Sequence, residues 1–338
     1  MASLDIGIDL GTCNIYAMDS TRKTILREPA VVAIDKRSGK VMGVGQEVHD
    51  MVGKTPGYID VIRPLSDGVI SNYEMTELLI RHMLKKVTGS QLLKPRVCLC
   101  VPSAITNVES QAVVDATVAS GARKVFLIEE PVAAAIGAGM DLSIPNGNMI
   151  VDIGGGTTDI AVLSLNGVVC KASVKVAGHA FDDVLIKHMR RKYNLLIGEP
   201  TAERVKIEIG SVYPRDCQAT TEVKGRDIVS GLPRKVTLNR SETMHALKEP
   251  MDQILSAIVG VFERTPPELA SDIRANGIVL TGGGVLLDGL PQAIEQRTGV
   301  IARVADDPEH CVAIGTAMSF DYFDKLYDGF VSTSTHAH

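Results

Sequence analysis

Two short stretches of this chain place an aspartate at the end of an apolar run and a glycine/threonine turn directly after it. They are residues 6–14, IGIDLGTCN, and residues 150–159, IVDIGGGTTD. Glycine lacks a Cβ, so turns of this kind bring backbone N–H groups close to a phosphate. Two such turns that face each other could clamp one polyphosphate. Asp9 and Asp152 could then hold Mg²⁺ through water, because Mg²⁺ gives up its hydration shell reluctantly.

Either stretch alone could be no more than a tight hairpin turn. Its recurrence in the same context favours a phosphate-binding role over that alternative. The chain has no G-x-x-x-x-G-K-[ST] sequence, and no strand-flanked G-x-G-x-x-G opens a helix. A Walker-type NTPase and a Rossmann dehydrogenase are therefore both disfavoured.

A third strand followed by glycines occupies residues 277–286, GIVLTGGGVL. Three consecutive glycines allow a flat purine to lie against the backbone. A flexible turn between a strand and a helix would account for the same residues. The three stretches together favour a site for a purine nucleotide.

The elements around these stretches indicate an α/β protein built twice. The two aspartate stretches lie about 140 residues apart and each is followed by a second β-rich run, which predicts an internal repeat. Strands alternate with helices elsewhere, so mixed sheets are expected. A crossover between the halves is predicted at residues 145–148, PNGN. Strands are predicted at 30–34, 96–101, 124–128 and 277–281, and helices at 74–87, 108–120, 131–138, 181–193, 202–209, 241–264, 290–298 and 312–322.

Composition narrows the class of protein. The chain has 338 residues, 45% of them hydrophobic, and a net charge of −5. That charge argues against a nucleic-acid partner, which usually requires a basic face. The apolar runs are too short to span a bilayer, and no leader is expected before the first strand. No C-x-x-C pair occurs among Cys13, Cys98, Cys100, Cys170, Cys217 and Cys311. Cys98 and Cys100 share one strand face, which predicts burial rather than metal binding, in a reducing cytoplasm.

The order of the three glycine elements resembles the ATPase superfamily of actin, chaperones and sugar kinases, and within it the chain resembles the MreB family. The resemblance covers essentially the full length, and it is carried also by residues 128–137 (IEEPVAAAIG), 178–182 (GHAFD), 202–206 (AERVK) and 313–317 (AIGTA). It implies the actin-like ATPase fold, in which two α/β domains with duplicated ribonuclease-H-like cores enclose a nucleotide cleft. Domain I would comprise residues 1–145 and 313–338, with a small subdomain at about 33–65. Domain II would comprise residues 146–312, with a small subdomain at about 182–243.

The resemblance also implies roles for individual residues. Glu130 would orient the water that attacks the γ-phosphate, with Thr158 as its polar companion, although Glu129-Glu130-Pro131 also reads as a helix start. Glu203 and Lys206 would reach the ribose; by spacing alone they would form an i,i+3 ion pair. The β- and γ-phosphates would contact Thr12, Cys13, Asn14, Gly154, Gly155, Gly156 and Thr157. The adenine would contact Gly282, Gly283, Gly284, Val285 and Leu286. Cys13 stands where a small residue, usually alanine, is expected.

The function implied is a slow ATPase, using ATP or ADP with Mg²⁺, whose nucleotide state controls self-assembly into filaments. The filaments would lie at the inner face of the cell membrane and organise cell-wall synthesis and cell shape with cell-shape membrane proteins. A sugar-type kinase of the same superfold is the alternative, but no catalytic base stands beside a sugar-binding constellation. A chaperone ATPase would need a peptide-binding domain after this one.

Two surfaces are predicted for assembly. A helix after Thr106 would have a core side containing Val108, Ala112, Ala116 and Ala119. Val114 and Val118 would then face the antiparallel partner in paired protofilaments. The loop with Leu92 and Leu93 would enter the membrane, and its cations would face anionic headgroups: Lys85, Lys86, Lys94 and Arg96.

Overall fold

The computed structural model of the protein describes residues 4–21, 24–66, 68–89, 94–214, 219–323, 326 and 330–333. The strands are β1 (Asp5–Leu10), β2 (Asn14–Asp19), β3 (Ile25–Pro29), β4 (Val32–Asp35), β5 (Val41–Val44), β6 (Ile59–Ile62), β7 (Leu65–Ser66), β8 (Val69–Ile70), β9 (Arg96–Val101), β10 (Lys124–Glu129), β11 (Asn148–Ile153), β12 (Thr158–Ser164), β13 (Gly167–Val174), β14 (Leu195–Leu196), β15 (Thr220–Asp227), β16 (Pro233–Asn239), β17 (Ile278–Thr281), β18 (Ala302–Val304) and β19 (Phe330–Thr333). The helices are α1 (Gln46–His49), α2 (Tyr73–Thr88), α3 (Asn107–Ala119), α4 (Glu130–Gly137), α5 (Gly178–Tyr193), α6 (Glu199–Ile209), α7 (Arg240–Arg264), α8 (Pro267–Asn276), α9 (Leu290–Thr298) and α10 (Cys311–Met318).

The two large sheets share a five-stranded topology, and β19 adds a sixth, antiparallel strand to the first. One sheet has the order β19-β10-β9-β1-β2-β3 and the other β13-β12-β11-β17-β18. In each sheet a three-stranded antiparallel meander is extended by two parallel strands, which are β9 and β10 in the first and β17 and β18 in the second. The repeat predicted from the two aspartate stretches is confirmed. Its equivalent strands β1 and β11 both end with the aspartate next to the last position.

Each sheet has its own apolar core, and a third cluster lies between the two. One core draws on residues 6–127 and a second on residues 149–302. The third is built from α4, α10 and strands of both sheets, and includes Phe126, Ile150 and Val312. A common cluster of this kind brings the ends of the two sheets together. The domain boundaries given above stay a prediction.

Helices α4 and α10 cross at very short range, which explains two of the small-residue phrases in the sequence. A Cβ on Gly137 would lie 1.8 Å from the Cys311 carbonyl oxygen, and one on Gly315 would lie 1.7 Å from that of Ala133. Only glycine allows the two backbones to approach this closely. The contact fixes the position of α4, whose first residue is Glu130.

The predicted outward face of α3 is wrong. The helix begins as expected, with a capping box between Thr106 and Glu109. Val114, however, is buried with 4% of its surface exposed, and Val108, predicted on the core side, is 80% exposed. Val118 alone of the proposed contact pair is exposed, at 38%. The two valines therefore do not form a shared lateral surface.

Cys98 and Cys100 are buried in β9, as predicted. Among the described residues no helix is long and apolar enough to cross a membrane. Small sheets occupy both predicted subdomain regions: β5-β4-β6 within residues 32–62 and β14-β15-β16 within residues 195–239.

Candidate nucleotide site

A cavity of about 400 Å³ opens where β1, β10, β11 and β17 end. This volume suits a nucleotide-sized molecule. The walls come from both halves of the repeat, and they include nearly every residue predicted for the site: Asp9, Thr12, Cys13, Asn14, Glu130, Asp152, Gly154, Gly155, Gly156, Thr157, Glu203, Lys206, Gly282, Gly283, Gly284 and Leu286. Val285 and Thr158 are not in the wall.

The two glycine turns predicted to bind phosphate face each other. The first joins β1 to β2, and the second joins β11 to β12. The backbone amides of Thr12, Cys13, Gly155 and Gly156 donate to no group within the described part of the chain. Four free amides around a cavity are suited to an anion. The prediction that the turns converge is confirmed, and their shape fits a polyphosphate.

A thiol–imidazole contact joins the two turns. Cys13 Sγ lies 3.0 Å from Nε2 of His179, and the His179 amide donates to the Gly155 carbonyl oxygen at 2.8 Å. Burial raises the pKa of the Cys13 thiol to about 11 and lowers that of His179. Both groups are therefore neutral near pH 7, and the residue that departs from the family pattern links the turns by a hydrogen bond without adding charge.

This packing makes Gly155 a sensitive position. A Cβ there would lie 2.3 Å from Cys13 Sγ. We expect Gly155→Ala to weaken ATP binding by about tenfold or more, since the turns must separate. Cys13→Ala alone should change affinity only a few-fold, because the amide remains. The double variant should recover part of the lost affinity, because it removes the sulfur that the new Cβ would strike. Recovery should be incomplete, because the new Cβ would still lie 3.2 Å from the Cβ of residue 13. Nucleotide titration measures all three, and a loss equal in both backgrounds would contradict the packing argument.

The predicted metal-binding aspartates lie at the floor of the cavity. Asp9 accepts from the Cys100 thiol at 3.1 Å, and Asp152 accepts from the Thr281 hydroxyl at 2.7 Å. Burial raises the pKa of Asp9 to about 6 and that of Asp152 to about 7. Two buried carboxylates with few compensating donors fit the second coordination shell of Mg²⁺. No set of three His, Cys, Asp or Glu side chains in the described ranges could ligate a metal directly.

Glu130 stands beside another carboxylate that the sequence analysis did not assign. Glu130 is 9% exposed, and burial together with Asp159, Asp152 and Asp9 raises its pKa well above its usual range. Asp159 is fully buried; its Oδ1 accepts from the Ser103 amide at 2.9 Å, and its Oδ2 has no partner within the described chain. Asp159 is the last residue of the second aspartate stretch. Its position in that stretch is the feature of the sequence that could have identified it as a site residue.

The neighbouring Glu129 serves a different purpose. It precedes Pro131 at the start of α4, as the helix-start reading required, and its carboxylate accepts from Lys171 Nζ at 2.6 Å. Lys171 lies on β13, so this ion pair joins the two sheets. Glu130, the next residue, faces the cavity instead.

The structure places Thr157, and not Thr158, at the cavity. The Thr158 side chain is fully buried, and its hydroxyl donates to the Val176 carbonyl oxygen at 2.7 Å. Thr157 is in the wall. Burial raises the pKa of the nearby Asp159 carboxyl, and the Thr157 side chain opposes that rise. The two threonines point differently because successive side chains alternate along an extended chain.

The side of the cavity predicted to hold the sugar and base is formed by α6 and the triple-glycine turn. Lys206 does not pair with Glu203; its Nζ donates to Asp182 at 2.9 Å and to the Gly178 carbonyl oxygen at 3.2 Å. Asp182 was quoted in the sequence pattern without a role. A Cβ on Gly282 would lie 2.3 Å from the Ile153 carbonyl oxygen, so the glycine packs the turn against β11. Val285 is buried behind the turn.

Two further residues of this wall, Ile207 and Arg240, were not predicted. Ile207 lines the cavity together with the predicted Leu286, although the two are 75% and 61% exposed. Arg240 also lines the cavity and pairs with Asp288 at 2.8 Å. Arg240 lies far along the chain from the glycine turns, so no local pattern identified it.

Duplicated sheets whose glycine turns face one nucleotide-sized cavity define the class of actin-like ATPases. A crystal structure of MreB5 of Spiroplasma citri bound to ADP superposes with a TM-score of 0.91, at 36% identity over 96% of this chain and 98% of that one. A MamK double helical filament superposes with a TM-score of 0.79 at 22% identity, over 94% and 98% of the two chains, which supports the fold alone.

The family follows from sequence comparison. The model of the MreB/Mbl protein family matches residues 3–328. The chain is 49% identical over 327 residues to the cell shape-determining protein Mbl of Bacillus subtilis, covering 96% of this chain and 98% of that protein. It is 48% identical over 330 residues to the cell shape-determining protein MreB of Escherichia coli, covering 96% and 95%. The chain belongs to the MreB/Mbl family.

Proposed function

We propose that this protein binds and slowly hydrolyses ATP, and that its nucleotide state controls assembly into filaments that organise cell-wall synthesis and cell shape. The observation that carries the proposal is the cavity between the two glycine turns, where buried carboxylates lie beside four backbone amides that donate to no group in the described ranges. Crystal structures of MreB5 of Spiroplasma citri have ADP or AMPPNP bound. Family members that are named cell shape-determining proteins support the cellular role.

The proposed reaction depends on positioning, as phosphoryl transfer usually does. The amides of the two turns bind the phosphates, while Glu130, fixed by the α4–α10 contact, accepts a hydrogen bond from the attacking water. We assign the polar companion role to Thr157, because its side chain lies at the cavity. Mg²⁺ held through water by Asp9 and Asp152 would supply the positive charge that offsets the phosphate oxygens. Glu203 and Lys206 are proposed to hold the ribose.

Pelleting with ATP tests this function against the kinase alternative. We expect sedimentable filaments with ATP and Mg²⁺, release of phosphate to water, and no phosphorylation of added sugars. Filaments should be visible by negative-stain electron microscopy. Sugar-dependent ADP production without sedimentation would favour a kinase instead.

We further propose that the filaments lie at the inner membrane surface through the loop with Leu92 and Leu93. That loop lies outside the described residues, so its flanks supply the argument. Of the four cations predicted to face headgroups, Lys86 pairs with Glu28 and Arg96 with Asp5, whereas Lys85 and Lys94 are exposed. An exposed lysine near an anionic surface contributes about 1 kcal/mol.

Replacing both leucines, Leu92→Ser with Leu93→Ser, should abolish co-sedimentation with anionic liposomes while leaving assembly intact. Burial of two leucines in lipid is worth roughly 3 to 5 kcal/mol per copy, and a filament multiplies it. Val108→Ser is the matched control, since Val108 is also exposed but lies on α3. Equal liposome binding by the double variant and the parent chain would refute the loop as the anchor.

A further inference from the structure

Arg27 is a cation in the cavity wall that the proposed reaction does not use. The wall contains three aspartates and four glutamates, against two arginines and one lysine. The other two cations, Lys206 and Arg240, are each paired with an aspartate. Arg27 forms no ion pair in the described part of the chain, and its one hydrogen-bond partner there is the Asn14 side chain. An arginine without a carboxylate partner therefore borders a cavity whose wall is rich in negative charge.

The register of the sheet places Arg27 on the cavity side of β3. Asp9 on β1 lies opposite Tyr16 on β2, and Tyr16 lies opposite Arg27 on β3. Directly opposed residues of antiparallel strands point to the same face of the sheet. Asp9, Tyr16 and Arg27 all line the cavity, and Arg27 is the exposed member of this row. The row therefore runs from the cavity floor at Asp9 to the cavity edge at Arg27.

Two neighbours hold the guanidinium group at that edge. Its Nε donates to Asn14 Oδ1 at 3.2 Å, and its Cζ lies 6.0 Å from the centroid of the Tyr16 ring. The ring is 6% exposed and packs edge-on against His310, with the two centroids 5.3 Å apart. Asn14 begins β2 directly after the first glycine turn, so Arg27 is tied to a turn that is predicted to bind phosphate. The terminal nitrogens Nη1 and Nη2 have no acceptor among the described residues.

Glu309 brings an opposing charge to the same region from the other half of the repeat. It lies in the wall against the triple-glycine turn, where a Cβ on Gly283 would be 3.4 Å from Glu309 Oε1. Burial raises the pKa of Tyr16 to about 12, Arg27 opposes that rise and Glu309 adds to it, so both charges act on one phenol. Arg27 and Glu309 nevertheless form no ion pair with each other. The positive charge of Arg27 therefore stays available to a ligand.

We propose that Arg27 binds the polyphosphate of the nucleotide and supplies a fixed positive charge at that end of the cavity. Its two terminal nitrogens suit two oxygens of one phosphate, the bidentate geometry that guanidinium groups favour. The nucleotide fits this chemistry better than a carboxylate of another copy does, because Asn14 holds the arginine beside the first glycine turn and within the wall. The inference rests on the proposed binding of ATP and adds a residue to that site.

Nucleotide titration of Arg27→Gln below the critical concentration for assembly tests the role. The affinities for ATP and ADP should both fall about tenfold, because a charge-assisted hydrogen bond is lost. The loss should be larger in EDTA than in Mg²⁺, since the metal no longer offsets the phosphate charge. Arg27→Lys should lose only about threefold, because it keeps the charge without the bidentate geometry. Arg37→Gln is the matched control: Arg37 is exposed, pairs with Asp35 and lies outside the cavity wall, so this variant should bind as the parent does.

Glu309→Gln should have the opposite effect. Removing this carboxylate reduces the repulsion of the phosphates, so ATP affinity should rise about threefold. The double variant with Arg27→Gln should lie between the two single variants. A purely structural role for Arg27 would not give effects of opposite sign at the two positions. The nucleotide-free Arg27→Gln protein should also melt at the parent temperature, since the side chain is exposed.

If the parent chain binds neither ATP nor ADP, the proposed function and this inference are both wrong. If the parent binds ATP and Arg27→Gln binds it equally tightly with and without Mg²⁺, only the inference is wrong. Unchanged nucleotide affinity with a raised critical concentration would assign Arg27 to a contact between copies and overturn the inference. Weaker ATP binding by Glu309→Gln would overturn it as well.

Discussion

Glu130→Gln is expected to slow phosphate release from bound ATP by about a hundredfold or more, while nucleotide affinity changes only a few-fold. Removing a group that positions or deprotonates a reacting water typically costs this much. Binding should persist because backbone amides of the two turns are proposed to hold the phosphates, and none of these amides is changed by the substitution. Filaments should still form with ATP and should disassemble more slowly, since hydrolysis is the proposed timer.

Single-turnover phosphate release at saturating ATP and Mg²⁺ measures this effect without interference from assembly. Glu129→Gln is the matched control, because it changes the adjacent carboxylate, which pairs with Lys171 outside the cavity. That control should retain most of the activity. If Glu130→Gln hydrolyses ATP at the parent rate, Glu130 does not orient the water and serves only as the first residue of α4.

The repeat made most of the fold predictable. Two copies of one pattern, strand, aspartate and glycine turn, predicted two equivalent hairpins, and the sheets that contain them share a topology of five strands. Features of this kind can be recognised in a sequence, because a position where two backbone segments approach closely requires glycine. Gly282 shows the same requirement. The predicted phosphate turns therefore converge as expected.

Features that depend on packing were less predictable. The periodicity of α3 put Val114 on the outer face, but that helix has apolar residues all around it. The neighbouring α2 and β10 select which of them are buried. Sequence alone does not give that choice. The same limit applies to Thr157 and Thr158, where one step along an extended chain reverses the direction of the hydroxyl.

Long-range side-chain pairs were also missed. Lys206 was expected near the ribose, and by spacing alone near Glu203, yet its amine contacts Asp182, 24 residues away. The Cys13–His179 contact spans 166 residues. Neither pair leaves a local pattern, because both depend on how α5 and α6 meet the two glycine turns.

Asp9→Asn and Asp152→Asn are each expected to raise the Mg²⁺ concentration needed for half-maximal ATP turnover by about tenfold or more. Groups that hold a metal through its water shell typically contribute this much to affinity. Each substitution removes one negative charge from the cavity floor but keeps the shape of the side chain. Asp60→Asn, at a half-exposed surface aspartate on β6, should leave the requirement unchanged.

The pH dependence of the Mg²⁺ requirement gives the same argument a second test. Burial raises the pKa of Asp9 to about 6 and of Asp152 to about 7, so protons compete with the cation as pH falls from 8 to 6. The half-maximal Mg²⁺ concentration should therefore rise over this window, and less steeply in Asp152→Asn. The folded state binds these protons more tightly than the unfolded chain does, so the stability of the nucleotide-free protein should increase as pH falls from 8 to 6. Thermal unfolding with and without Mg·ADP checks the sign. A Mg²⁺ requirement independent of pH, with both variants like the parent, would show that these carboxylates do not hold the metal.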